Sequence, residues 1–282
     1  MIELSNLCFS YTEEPFIRSI NFSVTDGEIF GFLGPSGAGK STIQKILIGM
    51  LPTYDGSVVI DGVEVKRHDN SFYERIGVDF EYPSLYEKLT ARQNLDFFAS
   101  LYSGEKCETA ELLSAVGLLR DADKKVSDFS KGMKSRLNFI KALVHKPKIL
   151  FLDEPTSGLD PSNARQVKNM ILQQKALGST IILTTHNMED AAELCDRVAF
   201  IVDGEIKAMD MPHALIMQKG AKKLRYAYME NGGEKQAECF LDATAEEELL
   251  KTLLAQNRLL TIHSSEPSLG DIFMDVTGRR LS

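Results

Sequence analysis

Tryptophan is missing from this chain of 282 residues, and its four cysteines, Cys8, Cys107, Cys195 and Cys239, stand far apart. No CxxC pair and no Cys/His spacing of a metal site occurs, so the cysteines read as buried, reduced thiols of a cytosolic protein. Long apolar runs are missing too. ILFL at 149–152 is typical, well short of the ~20 residues that span a bilayer. The opening MIELSNLCFSY has no basic stretch followed by an apolar one, so no secretory signal is expected. Any role at a membrane must then pass through a partner. A basic excess is also lacking. The net charge of −8 argues against nucleic acid as a partner, because phosphate backbones call for a basic face. Repeats and low-complexity stretches are absent.

What is present is the balance of a globular protein, with 43% hydrophobic and 26% charged residues. Short, strongly apolar strands are predicted at 28–33, 148–152, 180–184 and 198–202. Apolar stripes at helical spacing lie between them: Ile43, Ile46, Leu47 and Met50 form one, and Met133, Leu137, Ile140 and Val144 another. This alternation implies an α/β fold around a parallel sheet. The stretch 83–147 is helical in pattern and reads as an inserted subdomain, with Phe97 and Phe98 in its core. A small α+β domain is expected over 219–282, after a main domain at 1–218. It would hold a hairpin, 222–229 and 236–241, turning at Asn231, Gly232 and Gly233, followed by a helix, a short strand near 259–263 and a last helix.

The run Gly34, Pro35, Ser36, Gly37, Ala38, Gly39, Lys40, Ser41, Thr42 matches GxxxxGK[ST]. It follows an apolar strand and opens a helical stripe, the context in which this pattern cradles phosphates. Glycines let the backbone point its N–H groups at phosphate oxygens, and the helix N-terminus adds partial positive charge. Lys40 would reach the β- and γ-phosphates and Ser41 would offer its hydroxyl to Mg²⁺. The strand at 148–152 runs into Asp153 and Glu154. Asp153 is placed to hold Mg²⁺, and Glu154 to polarise a water aimed at the γ-phosphate.

LDEPTSGLDP at 152–161 resembles the run found in ABC-transporter ATPases, and spaced motifs extend the resemblance over about residues 1–215. It implies a P-loop nucleoside-triphosphatase core that hydrolyses ATP with Mg²⁺. Two subunits would pack head to tail, each nucleotide touching the phosphate loop of one and the signature of the other. Tyr11 lies where the family stacks an aromatic on adenine. Phe129, Ser130, Lys131, Gly132 and Met133 replace LSGGQ, with Lys131 and Met133 departing from it. Asp160 belongs to the loop that crosses the dimer interface, and His186 matches the switch histidine that orients Glu154 and the water.

Glu81 stands where the family carries a glutamine beside Mg²⁺. Glutamate here is similar to two subgroups, lantibiotic self-protection transporters and multidrug exporters of the fluoroquinolone type, and the stretch FYERIGVDFEYPSLYEKLTARQNLDFFASLY and the ending SLGDIFMDVTGR resemble the second. The alternatives are a lantibiotic self-protection exporter and a soluble, non-transport ABC ATPase. No sustained heptad run and no second ATPase unit favours the soluble reading. Tyr82, Pro83, Leu85, Tyr86 and Leu89 follow Glu81 as an apolar patch, which the resemblance assigns to docking on a membrane permease at the cytoplasmic face. Two identical copies are expected in the dimer.

Overall fold

A computed structural model of the chain describes residues 1–219, 223–230, 232–241, 244, 247–265 and 267–279. The chain divides into two compact units, Met1–Met209 and Asp210–Leu281.

The first unit begins with β1 (Ile2–Phe9), β2 (Ile17–Val24), β3 (Ile29–Leu33), α1 (Lys40–Leu47), β4 (Asp55–Ile60), β5 (Val63–Glu64) and β6 (Ile76–Asp79). The helical insert follows, with α2 (Ala91–Ser100), α3 (Thr109–Ala115) and α4 (Lys131–Lys141). The unit then runs through β7 (Ile149–Asp153), α5 (Pro161–Ala176), β8 (Thr180–Thr185), α6 (Met188–Leu194), β9 (Arg197–Val202) and β10 (Glu205–Asp210). A six-stranded sheet has the order β10-β9-β3-β8-β7-β6. The neighbours from β9 to β6 pair in parallel, in the registers Leu33 with Thr185, Asp153 with Thr184 and Asp79 with Leu152. Every residue of β3, β7 and β8 is buried, which is why these strands read as unbroken apolar runs.

A second sheet, β2-β1-β4-β5, is antiparallel, and the sequence pattern did not disclose it. Its strands bury alternate residues only, and two bulges interrupt β1 against β2, which blurs the period-2 signal. Phe22 reaches across from this sheet to stack on Phe30 at 5.0 Å.

In the insert, α2 opens with a capping box between Thr90 and Gln93, and Ser130 caps α4 by accepting from the Met133 N–H. Phe97 departs from its expected place in the core. It is 40% exposed and packs edge-on to Tyr86, while Phe98 is half-buried under the Lys141 ammonium. The cause is helical phase: Ala91, Asn94 and Leu95 are the residues α2 buries.

The second unit holds α7 (Pro212–Lys219), β11 (Lys223–Glu230), β12 (Gly233–Phe240), α8 (Glu248–Ala255), β13 (Leu259–Ser265) and α9 (Leu269–Thr277). Its sheet, β12-β11-β13, is antiparallel, and the second strand of the hairpin starts at Gly233, which pairs with Glu230, three residues before the expected 236. Lys222 and the turn residue Asn231 lie outside the described residues. Leu224, Tyr226 and Tyr228 pack on Leu250 and Leu253 of α8. The expected division between 218 and 219 falls instead between Met209 and Asp210, because α7 lies against α9.

Candidate functional site

The phosphate-loop run leaves the end of β3 and turns into α1. Two of its glycines are required by space and dihedral angle. A Cβ on Gly34 would stand 2.1 Å from the Ile201 carbonyl oxygen, and Gly39 sits at φ 109° with Ile17 2.6 Å from the place of a Cβ. Gly39 is the N-cap of α1 and carries no side chain to satisfy the first N–H groups, and the first turn holds no acid. The helix therefore offers free donors and its positive dipole end to an anion. Lys40 folds back to donate to the carbonyls of Gly34 at 2.7 Å and Pro35 at 3.0 Å. Burial holds its ammonium below the ordinary lysine value, against the opposing pull of the Glu154, Asp153 and Glu81 carboxylates.

The parallel register brings the carboxylates to that loop. Asp153 ends β7 and accepts from Ser41 Oγ at 3.1 Å and from Thr184 Oγ1. Glu154 follows with φ 52°, in the left-handed region that side chains seldom adopt. Three donors hold its carboxylate: Thr185 Oγ1 at 3.1 Å, the His186 backbone N–H at 2.9 Å, and the His186 ring Nδ1, which stands 2.7 Å away. Asn187 then caps α6 through the N–H groups of Glu189 and Asp190. The outcome is one cleft of about 260 Å³ lined by Ser36, Gly37, Gly39, Lys40, Ser41 and Thr42, by Asp153, Glu154 and His186, and by Glu81 and Phe16. It lies at the carboxyl ends of the strands, where parallel α/β sheets bind ligands.

Tyr11 sits beside this cleft and does not line it. Its hydroxyl is 3.1 Å from Thr42 Oγ1, its ring is 57% exposed, and it packs edge-on to Phe9 and Phe16. Phe16 is the lining residue that sequence reasoning missed. The available signal was an aromatic five residues past Tyr11, in the same turn between two strands. Ser130, Lys131, Gly132, Met133 and Asp160 are not among the lining residues either. They form their own neighbourhood. A Cβ on Gly158 would stand 2.9 Å from Lys131 Nζ, and one on Gly132 3.7 Å from Leu159. Asp160 caps α5 through the N–H groups of Ser162 and Asn163, which holds its carboxyl below the usual range.

Among the described residues no group of three or more His, Cys, Asp or Glu side chains could hold a metal unaided. The cleft nonetheless suits Mg²⁺ held jointly with phosphates. Ser41, Asp153 and Glu81 are hard oxygen donors, and Mg²⁺ prefers one or two carboxylates plus substrate oxygens to an all-protein cage.

A glycine-cradled helix N-terminus, a buried lysine and an acidic strand end in register define a P-loop nucleoside triphosphatase. Residues 17–157 match the family model described as ABC transporter. A fluoroquinolones export ATP-binding protein of Mycobacterium tuberculosis is 49% identical over 100% of this chain and 95% of its own length. A dimeric ATP-binding cassette solved with ADP and phosphate superposes with a TM-score of 0.67 at 27% identity, covering 75% of this chain and 98% of that one. A subunit of the Clostridium perfringens ABC transporter complex cbiONQ gives 0.68 at 28% identity, with coverage of 77% and 91%. The chain belongs to the ABC transporter family, and it is an ATP-hydrolysing member of it.

Proposed function

We propose that this chain powers export through a separate membrane protein, by hydrolysing ATP in a dimer whose two nucleotide sites are shared. The observation that carries the reading is the single cleft in which Lys40, Ser41, Asp153, Glu154, His186 and Glu81 meet.

In this reading Lys40 leaves the loop carbonyls for the β- and γ-phosphate oxygens, and the N–H groups of residues 36–42 surround the remaining oxygens. Tyr11 and Phe16 offer ring surface to adenine. Ser41, Asp153 and Glu81 hold Mg²⁺, which neutralises phosphate charge when bound. Glu154 accepts the proton of the attacking water. The new bond joins the water oxygen to the γ-phosphorus, and the bond from that phosphorus to the β,γ-bridging oxygen breaks, leaving ADP and phosphate. The Thr185 hydroxyl and the His186 N–H fix the carboxylate for this step, and the His186 ring orients it.

The patch formed by Ser130, Lys131, Gly132, Met133 and Asp160 serves the second copy's nucleotide. Its place outside this chain's cleft, with α4 opening at Ser130, supports that division. Export of drugs or other small amphipathic compounds follows the 49% identical relative, which favours this subgroup over the lantibiotic type.

No helix among the described residues is long and apolar enough to cross a membrane. Attachment to the membrane then passes through the permease. The exposed rings of Tyr82 and Tyr86 support docking over 82–89, and a neighbouring cavity of about 240 Å³ is walled by Met50, Tyr73, Phe80 and Phe98. A direct test uses tagged Glu154→Gln protein with ATP and Mg²⁺. The reading expects a dimer by light scattering and recovery of a multi-span protein from detergent-solubilised membranes. A monomer with ATP, or recovery of soluble proteins alone, would overturn it.

A further inference from the structure

Asp79 and Asn138 are polar residues in the interior of the first unit, 4% and 1% exposed, and the catalytic scheme uses neither. Asp79 ends β6, paired with Leu152 beside the Asp153 position. Asn138 lies on α4, two turns beyond the Ser130 cap. Its amide nitrogen donates to Asp79 Oδ1 and to the Phe80 carbonyl at 3.1 Å. Its amide oxygen accepts from the Ser84 N–H at 3.1 Å and from Lys141 Nζ at 2.8 Å. Lys141 also donates to the Ser84 carbonyl at 3.2 Å. The four hydrogen bonds that an asparagine side chain can make are therefore all in place.

Asn138 thus grips both ends of 80–84, the irregular segment that carries Glu81, and ties them to α4. An apolar contact at this seam would let α4 slide by fractions of an ångström at little cost. A buried polar set that is fully satisfied has one good arrangement, and leaving any member unpaired is expensive. Such a set gives position at the cost of stability that apolar packing would supply.

We propose that Asn138 is a positioning residue for hydrolysis: it locks α4 to the Glu81 segment and the end of β6, so that the 130–133 tip is presented to the second copy's nucleotide at a fixed angle. This rests on the role proposed above for residues 130–133.

The test compares purified full-length Asn138→Leu with the unsubstituted chain, at a temperature where calorimetry shows both folded. The expected result is a kcat for ATP hydrolysis at least 10-fold lower, with KM for ATP and binding of a fluorescent ATP analogue unchanged within twofold. The exchange Asp79→Asn with Asn138→Asp keeps a donor facing a carboxyl group, the bond from the Ser84 N–H and a carboxyl beside Lys141, and gives up only the bond to the Phe80 carbonyl. It is expected to restore at least a third of kcat. Where Asn138→Leu does not fold, Asn138→Asp alone removes the two donated bonds and is read in the same way. A folded variant with kcat within twofold of the unsubstituted chain overturns the proposal, as does a kcat loss matched by a rise in KM. Gly132→Glu separates the two readings. If it too leaves kcat unchanged, the role of the 130–133 tip fails; if it abolishes turnover while Asn138→Leu does not, only the positioning role fails.

Discussion

The sheets of the two units show two ways of using a strand. In the first unit β7 and β8 are buried at every residue, so nothing along their length can meet a ligand, and the chemistry gathers where they stop, at Asp153, Glu154 and His186. In the second unit β12 is exposed or half-exposed throughout, and the sheet rests on α8 through Leu224, Tyr226 and Tyr228. A strand packed on both faces makes a rigid post for the residue at its tip. A strand packed on one face leaves a row of side chains in water, where they are held less firmly.

The largest effect that would sharpen this contrast lies at a strand tip. Glu154→Gln should lower ATP turnover by roughly 10²–10⁴-fold, the usual range for loss of a general base, in a steady-state phosphate-release assay. A loss under tenfold would mean that the tip of β7 is not where water is activated.

Next comes Phe273→Ala in α9. Phe273 is fully buried, so the substitution should destabilise the second unit by about 3–5 kcal/mol in denaturant titration. ATP affinity should stay within twofold, and a larger change would break the separation of the two units.

Acid should act on the first unit through His145. Burial holds this imidazole below its ordinary value, outweighing the hydrogen bond to the Ile76 carbonyl and the charge of Glu74. A histidine buried neutral lends stability that is complete above its ordinary value of 6.5 and is lost as pH falls from there through the folded value. Calorimetry between pH 7 and 5 should show the first unit's transition falling, and falling less steeply in His145→Phe, which retains a ring to stack on Tyr102.

Tyr11→Ala should weaken ATP binding by several-fold, about 1 kcal/mol, since one aromatic contact is lost and Phe16 remains. The smallest effect belongs to the exposed sheet. Arg225 pairs with Glu238 at 3.5 Å with 68% and 47% of their side chains in solvent, so Arg225→Ala should change stability by less than about 0.5 kcal/mol.

The same contrast explains what could be read in advance. The phosphate loop was legible because its chemistry needs contiguous residues in a fixed order, and Asp153 and Glu154 because they end an unmistakable buried strand. Fold class and helical insert followed from the alternation of buried strands and apolar stripes. Phe16 was not legible as a lining residue, since only the turn between β1 and β2 carries it to the cleft. Asn138 was hidden for a related reason. It looks like a polar residue on an amphipathic helix, and its partners Asp79, Phe80 and Ser84 lie more than fifty residues away in sequence. The first division of the chain was misplaced because α7 alone does not reveal that it packs on α9.

The place of β3 in the sheet has a consequence for how the molecule is made. This strand carries the phosphate loop at residues 29–33, yet its two neighbours are β8 at 180–185 and β9 at 197–202. The loop's entry glycine packs on a carbonyl of β9 itself. Until β8 and β9 have been synthesised, β3 and the phosphate loop that follows it lack the two strands that flank them in the sheet. Pairing of strands so far apart in sequence is expected to be slow, and a nucleotide site that stands on them is expected to form only once they have closed.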